Sequence, residues 1–337
     1  MVVVARPLEE RPESASSLKA LIVRFSAIGD CVMAVPVANS IREKYPDAHI
    51  EWAIEPWCAP VVDTSRLVSR TAIFPRDEWQ DHRWSPGTWW NQLRTYTALR
   101  KGDFDIGVDL QGQAKTALCL RIAKPRKRIA ILGHDYLSKH LNPLLNIPRK
   151  SMHVVEANLK ALAYLGDFSQ TAKFVMPDLA REKATVKSKL PSGKIASISV
   201  GSGQPKKTYP IAMWEATAKL LIANGYNVVW LGSKKDQHPT IEGPTDLIGQ
   251  LSLSESMAVV TMSDVHLAAD TGSGHMAAAY DVPVVSVFGA TPANVFRPYA
   301  KCGIVLDGKG SPTNISPEQL VEAVRQLSEG RGETLPH

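Results

Sequence analysis

Short apolar runs alternate with helical patterns along this chain, and the alternation starts twice. The first series opens on residues 20–25, turns at Ser26-Ala27-Ile28-Gly29-Asp30 and enters a helical stretch over 31–44. It continues with apolar runs at 49–54 and 104–110 and an Ala/Leu-rich helix over 115–123. The second opens on residues 195–200 and passes a glycine-and-lysine loop at 201–207 into a helix over 210–223, with proline in its first turn. Further runs follow at 227–232, 246–249, 265–269 and 283–289. Such runs, apolar on both faces, read as buried parallel strands, and strands alternating with helices build sheets through right-handed crossovers. The pattern predicts an α/β protein of two Rossmann-like domains. Pro177, Pro191 and charged residues gather around 165–190 and mark the boundary. The expected division is a loose tail at 1–18, a first domain at 19–175 and a second at 176–337, whose final helix is free to pack back on the first.

Composition narrows the class of protein. Of the 337 residues, 44% are hydrophobic and 21% charged, as in a folded globular chain. No run approaches the ~20 consecutive apolar residues of a membrane span. The first residues turn charged too soon for a signal peptide. Cys31, Cys58, Cys119 and Cys302 are scattered, with no CxxC pair, which argues against a zinc site or a disulfide framework and fits a reducing cytoplasm. The formal charge of +6 favours acidic partners. Basic residues interleaved with aromatics in a nucleic-acid module are lacking, and the run Lys124-Pro125-Arg126-Lys127-Arg128 reads as a solvated loop.

In doubly wound sheets ligands bind beyond the carboxyl ends of the strands. Four polar, glycine-bearing turns fall there: Gly29-Asp30, Gln111-Gly112, residues 201–207, and Asp270-Thr271-Gly272-Ser273-Gly274-His275. Together they point to a cleft between the domains. The last turn joins a strand to an alanine-rich helix, whose first amides lack intrahelical partners and carry the positive end of the helix dipole. The first turn lacks the GxGxxG of a dinucleotide site, the chain has no GxxxxGK of a P-loop, and Gly272-Ser273-Gly274 is too compact for a hydrolase elbow. What remains is a phosphate-bearing small molecule held by the second domain opposite a carboxylate on the first. Lys207 and the amides at 271–273 suit a diphosphate, and Asp30 suits removal of a proton from an attacking hydroxyl. That combination fits displacement of a nucleoside diphosphate from a sugar carbon.

Each residue also has a plainer reading. Asp30 is placed to cap the first helix, His275 to sit in a core, and Gln111 to close a strand end. His153 and Glu156, one turn apart, suit a structural tie. Trp79, Trp84, Trp89 and Trp90 are dense enough either for an exposed interfacial cluster or for burial in a helical insertion.

The turn Phe25-Ser26-Ala27-Ile28-Gly29-Asp30, Asp109-Leu110-Gln111-Gly112 with Lys115, His153-Val154-Val155-Glu156, Lys207-Thr208-Tyr209-Pro210 and the 270–275 turn occur in the order seen in bacterial heptosyltransferases. Over roughly residues 20–328 the chain resembles glycosyltransferase family nine, most of all its heptosyltransferase I branch. The resemblance implies a GT-B fold and an inverting, metal-independent transfer that needs no cofactor. It implies ADP-L-glycero-D-manno-heptose as donor and Kdo-lipid A, an acidic glycolipid at the inner membrane's cytoplasmic surface, as acceptor, with no obligate protein partner. By position Asp30 becomes the base. Gly29, Ser202, Lys207, Asp270, Thr271, Gly272, Ser273 and His275 fall to the donor, and Gln111, Lys115, Arg76 and Arg83 to the acceptor. Segment 74–83 is less basic than the family's acceptor loop, and the turn at 232–236 lacks an acidic pair for the ribose. A related GT-B glycosyltransferase using another nucleotide sugar or acceptor, a sugar-nucleotide epimerase or phosphorylase, and a non-catalytic nucleotide-sugar binder share the architecture and stay open.

Overall fold

The computed structural model describes residues 17–131, 133–145, 147–148 and 151–330. The expected tail at 1–18 therefore lies almost wholly outside the described residues. The chain divides into two compact units between Pro177 and Asp178.

The first unit holds β1 (Lys19–Val23), β2 (His49–Ile54), β3 (Arg70–Ile73), β4 (Ile106–Asp109) and β5 (Lys127–Ala130), hydrogen-bonded in the order β3-β2-β1-β4-β5. All pairings are parallel, with Val23 opposite Ala53 and Asp109. The central strands are buried on both faces, which is why they read as unbroken apolar runs. Phe25 stacks on Phe74 at 4.6 Å, and Trp79 and Tyr96 meet Phe74 edge-on, closing the core beyond the strand ends. His153 starts the helix Val154–Ala163 by accepting a hydrogen bond from the Val155 amide at 3.2 Å on its Nδ1. Farther along that helix, Asn158 donates to the Met33 carbonyl at 3.1 Å.

The second unit repeats the plan with β6 (Ile195–Ser199), β7 (Asn227–Leu231), β8 (Thr245–Asp246), β9 (Val265–Ala269), β10 (Val284–Phe288) and β11 (Gly303–Asp307). Their order is β11-β10-β9-β6-β7-β8, again parallel throughout. Counted within the unit, this is the 3-2-1-4-5-6 order of a dinucleotide-type sheet, and the first unit has the same order for its five strands. The strand order reverses between β1 and β4 in one unit and between β6 and β9 in the other. Tyr209 packs edge-on to Trp214 at 4.7 Å and donates to the Ile315 carbonyl at 2.8 Å, tying the helix Ile211–Ala223 to the far edge of the core. The final helix, Pro317–Ser328, opens on a Ser316/Gln319 capping box. Its apolar stripe, Leu320, Ala323, Val324 and Leu327, lies in the core of the second unit.

Four elements depart from the sequence reading. The basic run 124–128 is not simply a loop, because Lys127 and Arg128 begin β5, with the Arg128 Nε bonded to Asn142 at 3.0 Å. Strands β3 and β11 escaped notice because both are short edge strands with charged or half-exposed positions. The run read at 246–249 is strand only at Thr245–Asp246.

Gly289, just past β10, runs so close to the segment at 311–312 that a Cβ there would stand 2.3 Å from the Pro312 nitrogen. Backbone cannot step aside as a side-chain tip can. Gly289→Ala should therefore destabilise the second unit by about 1–3 kcal/mol. Denaturant unfolding would check this, and an unchanged midpoint would mean that the loop yields freely.

Candidate active site

The sequence-derived candidates collect at the two points where strand order reverses, where doubly wound sheets open a crevice for ligands. Each unit holds its own group of them, Arg83 excepted.

In the first unit, the residue that follows β1 is Arg24, and it is buried. Its Nη2 pairs with Asp30 Oδ2 at 2.6 Å, and its Nη1 donates to the Leu110 carbonyl beyond β4. Gln111 returns the link, its Oε1 accepting from the amides of Phe25 at 2.9 Å and Ser26 at 3.4 Å. The turns after β1 and β4 are thus tied in both directions. Gln111 is buried and spends its carbonyl on this tie, as expected of a strand-end cap. Asp30 sits at the third position of the helix Ile28–Val32 and accepts from the Ala27 amide at 3.3 Å, so it does cap that helix. Its side chain is nevertheless about 31% exposed. A capping carboxylate that keeps this much access can also meet a ligand.

Asp109, at the end of β4, lies wholly buried beneath this turn. Its Oδ1 accepts from the Gln111 and Gly112 amides, both at 2.9 Å, and its Oδ2 accepts from Thr116 Oγ1 at 3.1 Å. Gly112 has φ of 68°, which a side chain would resist. Burial pushes the Asp109 carboxyl up to about 6, against the pull of its hydrogen bonds and of Arg24.

Beside Asp30's turn stands a charge cluster that the sequence reading missed. Glu55, the residue after β2, is buried and draws Arg76 to 3.0 Å, Lys115 to 3.5 Å and the Trp57 indole nitrogen to 2.9 Å. Lys115 lies 5.9 Å over the Phe25 ring. Its ammonium is held below the usual lysine range, first by burial and then by Arg76, against the pull of Glu55. Two of the expected acceptor residues, Arg76 and Lys115, therefore share one carboxylate. Arg83 is elsewhere: it is exposed and lies 5.6 Å over the Trp84 ring.

In the second unit, Lys207 Nζ pairs with Asp270 Oδ2 at 2.7 Å, joining the loop after β6 to the residue after β9. Thr291 Oγ1 donates to the same carboxylate oxygen. Asp270 thus holds Lys207 in the geometry of this turn. Thr271 Oγ1 and Ser273 Oγ lie 3.0 Å apart, and no side chain caps the helix Gly272–Ala279. His275 is buried one turn in. Ser202 Oγ bonds Thr208 Oγ1 at 2.6 Å in the exposed loop. At Gly201 a Cβ would meet the Asp236 carboxylate at 2.3 Å, and Asp236 itself accepts from the Ser233 amide at 2.6 Å. Glycine there lets the β6 and β7 loops touch. Among the described residues no group of three or more His, Cys, Asp or Glu side chains could hold a metal ion.

Two doubly wound units with polar turns at their switch points make up the GT-B architecture, and solved structures agree in fold. A family 9 glycosyltransferase from Veillonella parvula matches with a TM-score of 0.79 at 16% identity, over 93% of this chain and 97% of its own. The Escherichia coli heptosyltransferase WaaC with ADP matches with a TM-score of 0.75 at 21% identity, over 94% and 100%. The chain belongs to glycosyltransferase family 9 (heptosyltransferase), whose model matches residues 92–314. Lipopolysaccharide heptosyltransferase 1 of Pseudomonas aeruginosa is 23% identical over 309 residues, 86% of this chain and 83% of the relative.

Asp109 gives a stability signature. Its folded value of about 6 lies above an unfolded aspartate's ~3.9, so its contribution is fully present below pH ~4 and is lost as pH rises through 6. Asp109→Asn keeps the acceptor oxygen for both amides and removes the titration. Between pH 4 and 7 wild type should lose up to about 3 kcal/mol relative to this variant, measured by denaturant unfolding. Parallel pH curves would show that Asp109 is ionised throughout.

Proposed function

We propose that this protein transfers a heptose from ADP-L-glycero-D-manno-heptose to a hydroxyl of the Kdo-containing inner core of lipopolysaccharide, with inversion and without a metal ion. The family supports the reaction class, lipopolysaccharide heptosyltransferase 1 relatives support the acceptor, and the ADP in a matching structure supports the donor nucleotide. Two observations carry the reading: a held carboxylate, Asp30, at the switch point of the first unit, and a held ammonium, Lys207, at that of the second.

Asp30 takes the proton from the acceptor hydroxyl as its oxygen attacks the anomeric carbon. The bond from that carbon to the diphosphate oxygen breaks on the opposite face, inverting the centre. Charge builds on the departing diphosphate, and Lys207 with the first amides of Gly272–Ala279 meets it; prearranged donors of this kind act without reorganisation. Arg76 and Lys115, aimed by Glu55, meet acidic groups of the acceptor. Asp270, with Lys207 turned toward phosphate, is left to hold Lys207 and to accept from sugar hydroxyls.

The test is a transfer assay with ADP-heptose and Kdo-lipid A in excess chelator, product read by mass spectrometry. Product whose formation needs an added divalent ion would sink the metal-free part, and none under any condition would sink the whole. Asp30→Asn should lower turnover ~10²–10⁴-fold while donor affinity stays within a few-fold, which also certifies the fold. Near-normal turnover would leave Asp30 as a cap alone. Lys207→Ala removes a charge-assisted bond and bares Asp270 to the phosphate, so calorimetry should show ADP bound roughly ten- to a hundredfold more weakly. Unchanged ADP affinity would take Lys207 out of the donor site.

A further inference from the structure

The four-tryptophan segment splits in the folded chain. Trp79 is core, but Trp84, Trp89 and Trp90 are 80%, 60% and 66% exposed, and Leu93 is 55% exposed. On the helix Pro86–Arg100 the buried positions are Thr88 and Leu99, with Tyr96 packed on Phe74. Trp90, Leu93, Arg94 and Thr97 recur at the spacing of the opposite face, and Trp89, seven residues before Tyr96, lies on its flank. This face is more apolar than a solvated helix face needs to be, and with Trp84 it carries three of the four exposed tryptophans. It is also built: the Trp89 indole donates to the Arg83 carbonyl at 2.6 Å, and the Arg83 guanidinium lies over Trp84.

Its charge names the occupant. From His82 to Gly102 the sequence holds Arg83, Arg94, Arg100 and Lys101 and no aspartate or glutamate. All four cations are exposed. The acidic residues Asp77, Glu78 and Asp81 belong to the preceding helix, Arg76–Asp81. Indoles favour the boundary between headgroups and acyl chains, and cations beside them favour anionic headgroups. No helix among the described residues is long and apolar enough to cross a membrane, so such a face would lie on the bilayer rather than in it.

We propose that the Trp84/Trp89/Trp90 face docks the protein on an anionic lipid bilayer. The inference deepens the reading of the acceptor as a membrane glycolipid, yet its test uses neither donor nor acceptor. Full-length protein is sedimented with vesicles of phosphatidylethanolamine and phosphatidylglycerol, or of phosphatidylcholine alone. Wild type should bind the anionic vesicles at least tenfold more strongly and lose that preference at 1 M salt, where screening is nearly complete. Trp89→Ser with Trp90→Ser should lower anionic-vesicle binding at least tenfold, and so should Arg94→Gln with Arg100→Gln. Both double variants change exposed side chains and should keep the wild-type circular dichroism and the wild-type turnover on a water-soluble acceptor fragment. Equal binding to both vesicle types, or full binding by the tryptophan variant, overturns the proposal. So does a wild-type dimer in solution that the tryptophan variant abolishes, which would make a second copy the occupant. A protein that transfers heptose but ignores vesicles would fail here alone.

Discussion

Arg24 is a guanidinium placed where solvent cannot neutralise it, and the first unit's group of site residues is arranged around that fact. A buried cation must be paired and hydrogen-bonded or it destabilises the fold by several kcal/mol. Its position directly after β1 leaves two partners within reach, the Asp30 carboxylate and the Leu110 carbonyl. Satisfying both draws together the turns after two strands that are neighbours in space and 86 residues apart in sequence. The proposed base is therefore held by the strand that precedes it rather than by its own five-residue helix, which is too short to fix it.

The second unit's group uses the opposite arrangement. There the carboxylate, Asp270, is the buried anchor at the strand end, and the cation comes from a loop. In both units a charged residue stands at the carboxyl end of a strand packed on both faces: Arg24 after β1, Glu55 after β2, Asp109 closing β4 and Asp270 after β9. The interior forces each to find a partner, and the partner is a residue of the adjoining turn. Rigid sheets thus set the direction of side chains that sit on otherwise flexible connections.

This rule also explains what the sequence disclosed. The long buried strands are plain because burial on both faces removes polar residues, and the turns after β1, β4, β6 and β9 stand out because glycine and a charged residue follow those strands abruptly. Asp30, Lys207 and Asp270 are candidates on that ground. Arg24 and Glu55 carry the same signal, a charge closing an apolar run, but Arg24 disappears into the run at 20–25 and Glu55 falls just past the run at 49–54. Their partners are set by strand order, which a linear reading does not contain. The pairing of Arg76 with Lys115 depends on Glu55 in the same way. Arg83, which the resemblance groups with them, lies apart from Glu55, its carbonyl accepting from the Trp89 indole. Edge strands β3, β5 and β11 were hidden because an edge tolerates charge and half-exposure.

Glu55 carries one negative charge and serves two cations, with the buried guanidinium of Arg24 adding its repulsion to Lys115. This corner of the first unit is consequently an unbalanced account of charge, stable only because Glu55 is flanked so closely. An anion that settled on Arg76 and Lys115 would relieve repulsion that the empty protein has to bear. Its binding energy would then appear partly as resistance of the first unit to unfolding. The ligand's charge would complete the fold as much as the fold receives the ligand.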